Sequence, residues 1–249
     1  MQGHSKIVLQ FSGGKDSTAL LHLCRPYLDK IEVVFCDTGA VVPHVVDFVH
    51  ETCRRIGANL KVIHPEMDVL TYTEKFGLPA DVSSVWRSPD ANWLNKEPAS
   101  QMLQDPVSCC GRMLWIPFQN YIVESGATMV LRGAKKCDQR RGVPPGTVEN
   151  GVTYESPLWE WTDNDVFEYL SKQGIPLPDQ YSEVTDSLDC WCCTAFLTTS
   201  YGAMKMRYIR TRYPHLWPAL AERLKRMRDA VAEDLLFVDA SIKIGEADA

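Results

Sequence analysis

The chain has 249 residues, with 26 Lys and Arg against 32 Asp and Glu for a formal net charge of -6, and 45% of its residues are hydrophobic. That length suits one large domain, or one domain with a small helical appendage, and that apolar content suffices for a packed core. The negative balance excludes a protein that coats nucleic acid non-specifically, and no run of about 18 apolar residues is present to span a membrane as a helix.

The opening MQGHSKIVLQ lacks the charged start, apolar centre and small-residue cleavage site of a secretory signal, so a cytoplasmic protein is expected. Ile7–Phe11 reads as a buried strand that breaks into Ser-Gly-Gly-Lys-Asp-Ser, with a helix from Ser17 to about Cys24. Ile31–Cys36 is a second strand, followed by DTGA at 37–40 and a helical segment to about Ile56, and Leu60–His64 is a third strand. The stretch from about Tyr72 to Val107 is irregular and rich in Pro, Ser and Asp; its Trp86 and Trp93 suit either an aromatic platform for bases or ordinary packing. Leu114–Val123 has a helical pattern, ATMVLRGA ends a strand near Leu131, and WTDNDVFEYLSKQGI opens with a Thr162/Asp165 capping pattern and stops at Gly174. From Tyr201 to about Leu236 the pattern is helical, interrupted at Pro214 and Pro218. Strands alternating with helices imply an α/β fold, an open, mostly parallel sheet with helices on both faces. The expected division is a nucleotide-binding domain over 1–200 and a basic helical extension over 201–249.

The loop between the first strand and its helix carries the most chemistry. Gly13 and Gly14 let the backbone turn tightly and approach a ligand. The helix that starts at Asp16 or Ser17 and runs on through Thr18 aims its free N–H groups and positive dipole end into the loop. Lys15 adds a full charge, and Ser12 and Ser17 add hydroxyls. Together these make a phosphate cradle at the carboxyl end of a strand, where open α/β sheets place their ligands. A Gly-Gly turn with no ligand is the competing reading. The loop is not a Walker A motif, because the four-residue spacer and Gly-Lys-Ser/Thr ending are absent.

The nine cysteines do not read as a disulfide framework in a chain without a secretory signal. Cys24, Cys36 and Cys53 lie in apolar or helical patterns and read as small core residues. Cys109-Cys110 with Cys190 and Cys193 form a CC…CxxC set whose thiolates suit a [4Fe–4S] cluster, a Cys₄ zinc site, or unliganded burial. The segment from Lys205 to Arg228 holds Lys205, Arg207, Arg210, Arg212, Arg223, Lys225, Arg226 and Arg228 against Glu222 alone. It is a solvated helix face or, with RGAKKCDQRRG at 132–142, a docking place for a polyanion.

Ser12 to Ser17, as they stand, resemble the pyrophosphate loop of the N-type ATP pyrophosphatases, whose fold is adenine nucleotide alpha-hydrolase-like. The resemblance is to the phosphoadenylylsulfate (PAPS) reductase branch over most of residues 6–200. DTGA at 37–40, LRGAKKCDQRRG at 131–142, and YESPLWEWTDNDVFEYL followed by GIPLPDQY carry it. It implies ATP with Mg²⁺ as ligand, Lys15 and Asp37 as catalytic residues, and Ser12, Gly13, Gly14, Lys15, Asp16, Ser17, Thr18, Gly133, Lys135, Lys136 and Arg140 (or Arg141) around the nucleotide. The cysteine set resembles that of the cluster-bearing adenylylsulfate reductases, with Thr194 after Cys193 and Pro117 after the pair. This implies a [4Fe–4S] cluster on Cys109, Cys110, Cys190 and Cys193, leaving Cys192 and Cys137 as candidate sulfur carriers.

The sequence also departs from the reductases. No cysteine follows Cys193 to act as the nucleophile of the family's C-terminal tail, the cluster-adjacent lysine falls on Leu114, and the loop is complete where reductases tend to carry a degenerate one. These departures favour an AMP-forming ATP pyrophosphatase that adenylates an acceptor for sulfur transfer. Its acceptor would be a nucleic acid undergoing phosphorothioation or thiolation, and its sulfur donor a protein such as a cysteine desulfurase. A sulfonucleotide reductase that borrows a thiol from thioredoxin, and a non-catalytic nucleotide- and cluster-binding sensor, are the alternatives.

Overall fold

A computed structural model describes residues 3–83, 103–138 and 143–247. The chain divides into two compact units, Met1–Glu66 with Leu114–Leu188 and Met67–Met113 with Asp189–Ala249. No helix among the described residues is long and apolar enough to cross a membrane.

The first unit is built on a six-stranded sheet. Its strands are β1 (Ile7–Gln10), β2 (Ile31–Cys36), β3 (Asn59–Ile63), β6 (Met129–Leu131), β7 (Thr147–Glu149) and β8 (Val152–Glu155), ordered β3-β2-β1-β6-β8-β7. All neighbours are parallel except the edge hairpin of β7 with β8. Strand alternation assigns each side chain to a face. Ile7, Leu9, Val33, Phe35, Met129 and Leu131 pack with α1 (Lys15–Leu23), α2 (Pro43–Ile56) and α6 (Asp163–Lys172). Val8, Val34, Cys36 and Val130 pack on the other face with Ile122 of α5 (Ile116–Ser125). The expected fold class is therefore observed, an α/β sheet covered on both faces. The capping box expected at Thr162 and Asp165 is present, with the Thr162 hydroxyl accepting from the Asp165 N–H.

The second unit holds α3 (Val69–Phe76), the short parallel pair β4 (Leu78–Pro79) and β5 (Leu103–Gln104), α4 (Pro106–Cys110), α7 (Ser200–Arg212) and the 31-residue α8 (Trp217–Ala247). Leu78, Ala80 and Leu103 pack against Met227, Ala230 and Val231 of α8. Three boundaries differ from expectation. Helix α3 occupies the start of the stretch expected to be irregular, because Asp68 caps it through Leu70 and Thr71 N–H. Pro218 starts α8 instead of interrupting it, since the first helical turn needs no N–H there. The β7–β8 hairpin was not expected, and an edge strand of three residues leaves little pattern to detect. Trp86 and Trp93 lie outside the described residues.

Candidate nucleotide loop and cysteine site

Three strand ends carry the expected nucleotide residues. β1 runs into Ser12–Ser17, β2 into Asp37, and β6 into Gly133 and Lys135. The chain builds β2 and β3 on one side of β1 and the strands from β6 on the other, so the loop sits at the switch point where such sheets bind ligands.

The loop's shape depends on its glycines. Gly13 has φ of +77°, and a Cβ there would stand 2.9 Å from Val49 Cγ2 on α2. A Cβ on Gly133 would stand 3.0 Å from the Asp16 carbonyl carbon and the Ser17 amide nitrogen, so only glycine lets this segment lie against the start of α1.

The loop's polar groups bond one another. Ser12 N–H donates to Ser17 Oγ at 3.3 Å, Gly14 N–H to Ser12 Oγ at 3.3 Å, and Ser17 Oγ–H to the Gly14 carbonyl at 3.0 Å. The Lys15 N–H donates to the Tyr181 hydroxyl at 2.9 Å. Thr18 is fully buried, and its Oγ1 has no hydrogen-bond partner among the described residues.

Lys15 and Lys135 are almost wholly buried, at 4% and 1% exposure, and converge on shared carboxylates. Lys15 Nζ lies 2.9 Å from Asp16 Oδ2 and 3.0 Å from Asp163 Oδ1. Lys135 Nζ lies 2.7 Å from Asp16 Oδ1, 3.3 Å from Asp138 Oδ2 and 3.3 Å from the same Asp163 Oδ1. Burial works against the Lys15 charge, but the hydrogen bond and charge of Asp16, then those of Asp163, outweigh it and hold its pKa above the ordinary lysine value. Lys135 is raised on the same balance, burial opposed first by Asp16. Burial alone would raise Asp163, yet Lys15 and then Lys135 pull it below the usual carboxylate value.

The remaining expected residues are placed differently. Asp37 accepts the Gly39 N–H on Oδ1 at 2.9 Å, which commits one carboxylate oxygen to its own turn. Lys136 is exposed and faces Glu160 at 3.7 Å, so it does not join Lys15 and Lys135. Arg140 and Arg141 lie outside the described residues. Sequence reading passed over Asp163, Asp138 and Tyr181. Asp163 lies inside the quoted WTDND run, but there it reads only as part of a helix start. A carboxylate in the first turn of the helix that follows a strand's carboxyl end was the available signal.

In the second unit, α4 ends on Cys109 and Cys110 and passes into a π-helical turn over Gly111–Trp115. Asp105 caps α4 through the Ser108 N–H at 2.9 Å. The Cys190–Cys193 segment is tied to β4 by Thr194 Oγ1, which donates to the Pro79 carbonyl at 2.6 Å, and by Asp81, which accepts the Phe196 and Thr198 N–H groups. None of the nine cysteines is in a disulfide. Burial pushes the Cys109 thiol far up, and the neighbouring Cys110, Cys193 and Cys192 sulfurs push it further. Burial likewise pushes Cys192 up to about 11, which with 1% exposure suits packing and not sulfur carriage. Cys137 is exposed.

Two buried cations stand beside these thiols. Arg223 donates Nε–H to the Cys192 carbonyl at 3.0 Å and Nη2–H to Thr73 Oγ1 at 2.6 Å, and Lys205, 3% exposed, bears on Cys192 electrostatically and lies 5.8 Å over the Tyr201 ring. Among the described residues no three His, Cys, Asp or Glu side chains converge on a single metal ion. Cys109, Cys110, Cys192 and Cys193 thus bear on one another beside buried positive charge. The basic segment is also reduced as a docking face. Lys205 and Arg223 are buried, Arg226 pairs with Glu74 at 2.7 Å, and Arg228 pairs with Asp229 at 2.5 Å.

A sequence model of the phosphoadenosine phosphosulfate reductase domain matches residues 6–196. The chain belongs to this family. Within the family, a phosphoadenosine 5'-phosphosulfate reductase of Alkalilimnicola ehrlichii is 30% identical over 69% of this chain and 63% of its own length. An uncharacterized protein of Methanocaldococcus jannaschii is 24% identical over 87% of this chain and 47% of its own length. The chain therefore spans about half to just under two thirds of these curated relatives. The crystal structure of a PAPS reductase from Candida auris, a phosphate complex, shares the fold with a TM-score of 0.50 at 19% identity, covering 71% of this chain and 77% of that one. The family's members include enzymes that act on an adenine nucleotide, and the loop at the carboxyl edge of β1 is consistent with such a ligand.

Proposed function

We propose that this chain is an AMP-forming ATP pyrophosphatase of the PAPS reductase family, which adenylates an acceptor for sulfur transfer in nucleic-acid modification such as phosphorothioation or thiolation. The observation that carries the reading is the convergence of two buried lysines, Lys15 of the complete Ser-Gly-Gly-Lys-Asp-Ser loop and Lys135 beyond β6, on Asp16 and Asp163. An acceptor oxygen attacks the α-phosphorus, the α–β bridging P–O bond breaks, and its electron pair leaves on pyrophosphate. Lys15 and the loop amides stabilise the charge on that leaving group, the electrostatic effect on which such transfers chiefly depend. Lys135 lies beside them to meet the α-phosphate. Asp37, whose Oδ1 accepts the Gly39 N–H, would hold Mg²⁺ together with the substrate phosphates, and the ion would offset charge on the leaving pyrophosphate.

Cys109, Cys110, Cys190 and Cys193 would hold the [4Fe–4S] cluster, with Lys205 and Arg223 offsetting the negative charge of its thiolates. Held by these four cysteines, the cluster would supply a structural or electrostatic role. A protein sulfur donor, such as a cysteine desulfurase, is then required. The names of the curated relatives favour a second reading, a sulfonucleotide reductase that draws its thiol from a partner such as thioredoxin.

The test incubates anaerobically purified protein with labelled ATP, adenylylsulfate and PAPS separately. AMP and pyrophosphate are expected from ATP, and Lys15→Ala should lower their formation at least about 100-fold. Sulfite release from either sulfonucleotide with a thiol donor, and no ATP cleavage, would establish the second reading instead.

A further inference from the structure

The two buried lysines at the loop are not waiting bare for a phosphate. Asp163 bridges both through the single oxygen Oδ1, 3.0 Å from Lys15 Nζ and 3.3 Å from Lys135 Nζ, as Asp16 does through its two oxygens. It is also the most exposed of their acidic partners, its side chain being 62% exposed against 26% for Asp16 and 37% for Asp138. Asp16 follows Lys15 directly in α1 and Asp138 is three residues from Lys135, so both travel with the lysines they hold. Asp163 comes from elsewhere, the first turn of α6, and Phe167 one turn on lies with its ring 6.0 Å from the same Lys15 Nζ. The two lysines and three aspartates sum to a formal charge of -1, which would repel a polyphosphate unless one carboxylate gave way.

Resting on the nucleotide reading above, we propose that Asp163 is an internal counter-ion that holds Lys15 and Lys135 in place of a ligand phosphate and is displaced when a nucleoside triphosphate or pyrophosphate binds. Asp163 is thus a positioning residue that sets affinity. In the empty protein it adds a third carboxylate to Asp16 and Asp138, which already offset the two lysine charges, and it competes with the incoming phosphate oxygens for the same ammonium groups. Because one exposed carboxylate is exchanged for phosphate oxygens of greater charge, the competition weakens binding without preventing it.

The experiment is a calorimetric titration of pyrophosphate, and of ATP with and without Mg²⁺, into the wild-type chain, Asp163→Asn, Asp163→Ser, Lys15→Met and the Lys15→Met/Asp163→Asn double variant. The expected result is a Kd for pyrophosphate and Mg²⁺-free ATP about 3- to 10-fold lower in both Asp163 variants than in wild type. The double variant should show no such gain over Lys15→Met, which separates competition at Lys15 from a general loosening of α6. An unchanged or higher Kd in the Asp163 variants overturns the inference while leaving the nucleotide reading intact. Weakening confined to Mg²⁺-ATP overturns it by making Asp163 a metal ligand. Failure of the wild-type chain to bind either ligand overturns the nucleotide reading and this inference with it.

Discussion

At the loop after β1, each buried cation has carboxylates within 3.3 Å, whereas Lys205 in the second unit, equally buried, meets the Tyr201 ring at 5.8 Å and the electrostatic influence of Cys192. The loop's amides and hydroxyls likewise bond one another, while among the described residues Cys109, Cys110, Cys192 and Cys193 bear on one another with no three ligating side chains converging on one metal ion. The first site is internally satisfied, and under the proposed function it exchanges internal partners for its ligand. The second has buried positive charge beside the cysteines, and under the proposed function it gains most from a guest with thiolate ligands.

That contrast can be broken at several points. The largest expected effect is on metal removal. Stripping iron anaerobically from the loaded protein should lower the thermal midpoint by more than about 5 °C, because binding energy at thiolate sites is also folding energy. Removing nucleotide should shift it far less, and equal shifts measured by calorimetry would erase the distinction. Next is Arg223→Ala, which leaves the Cys192 carbonyl and Thr73 hydroxyl short of a donor and Glu74 without its buried neighbour. A loss of about 2–4 kcal/mol in urea unfolding is expected.

Gly202→Ala and Gly133→Ala then test whether each site's backbone is equally tight. A Cβ at Gly202 would stand 2.5 Å from the Phe196 carbonyl oxygen and 2.7 Å from Leu197 Cα, and one at Gly133 meets the α1 backbone at 3.0 Å. Each should cost about 1–3 kcal/mol. Only Gly202→Ala should also lower iron content, and only Gly133→Ala should weaken pyrophosphate binding.

A smaller effect concerns pH. Asp163 has a folded pKa below its unfolded value, so its contribution is present above about pH 4 and is lost as pH falls through the folded value. Lys15 has a raised folded pKa, so its contribution is full below about pH 10.5 and is lost as pH rises through the folded value. Asp163→Asn should therefore flatten the acid limb of the stability profile, modestly because the side chain is well exposed. Smallest of all is Lys172→Ala on α6. It removes an exposed pair with Glu168 and should change stability by less than about 0.5 kcal/mol.

Much of this was legible in the chain itself. The near-continuous apolar runs Ile7–Phe11 and Ile31–Cys36 marked strands buried on both faces, and Ser12–Ser17 marked a tight turn into a helix, because apolar runs and glycine chemistry are local properties. The capping box at Thr162 was equally local. The partners of Lys15 were not, since Asp163 and Tyr181 lie far along the chain and reach the loop only once α6 packs beside α1 on the sheet. Nor could spacing reveal that Lys205 and Arg223 are buried beside Cys192 while their basic neighbours face solvent, because a run of like residues on a helix looks the same on every face until a core covers one. Sequence by itself determined the principal strands and helices of the six-stranded sheet and the turn after β1. Tertiary packing decided which charges are buried and what neutralises them, because burial and ion pairing depend on distances that the order of residues does not contain.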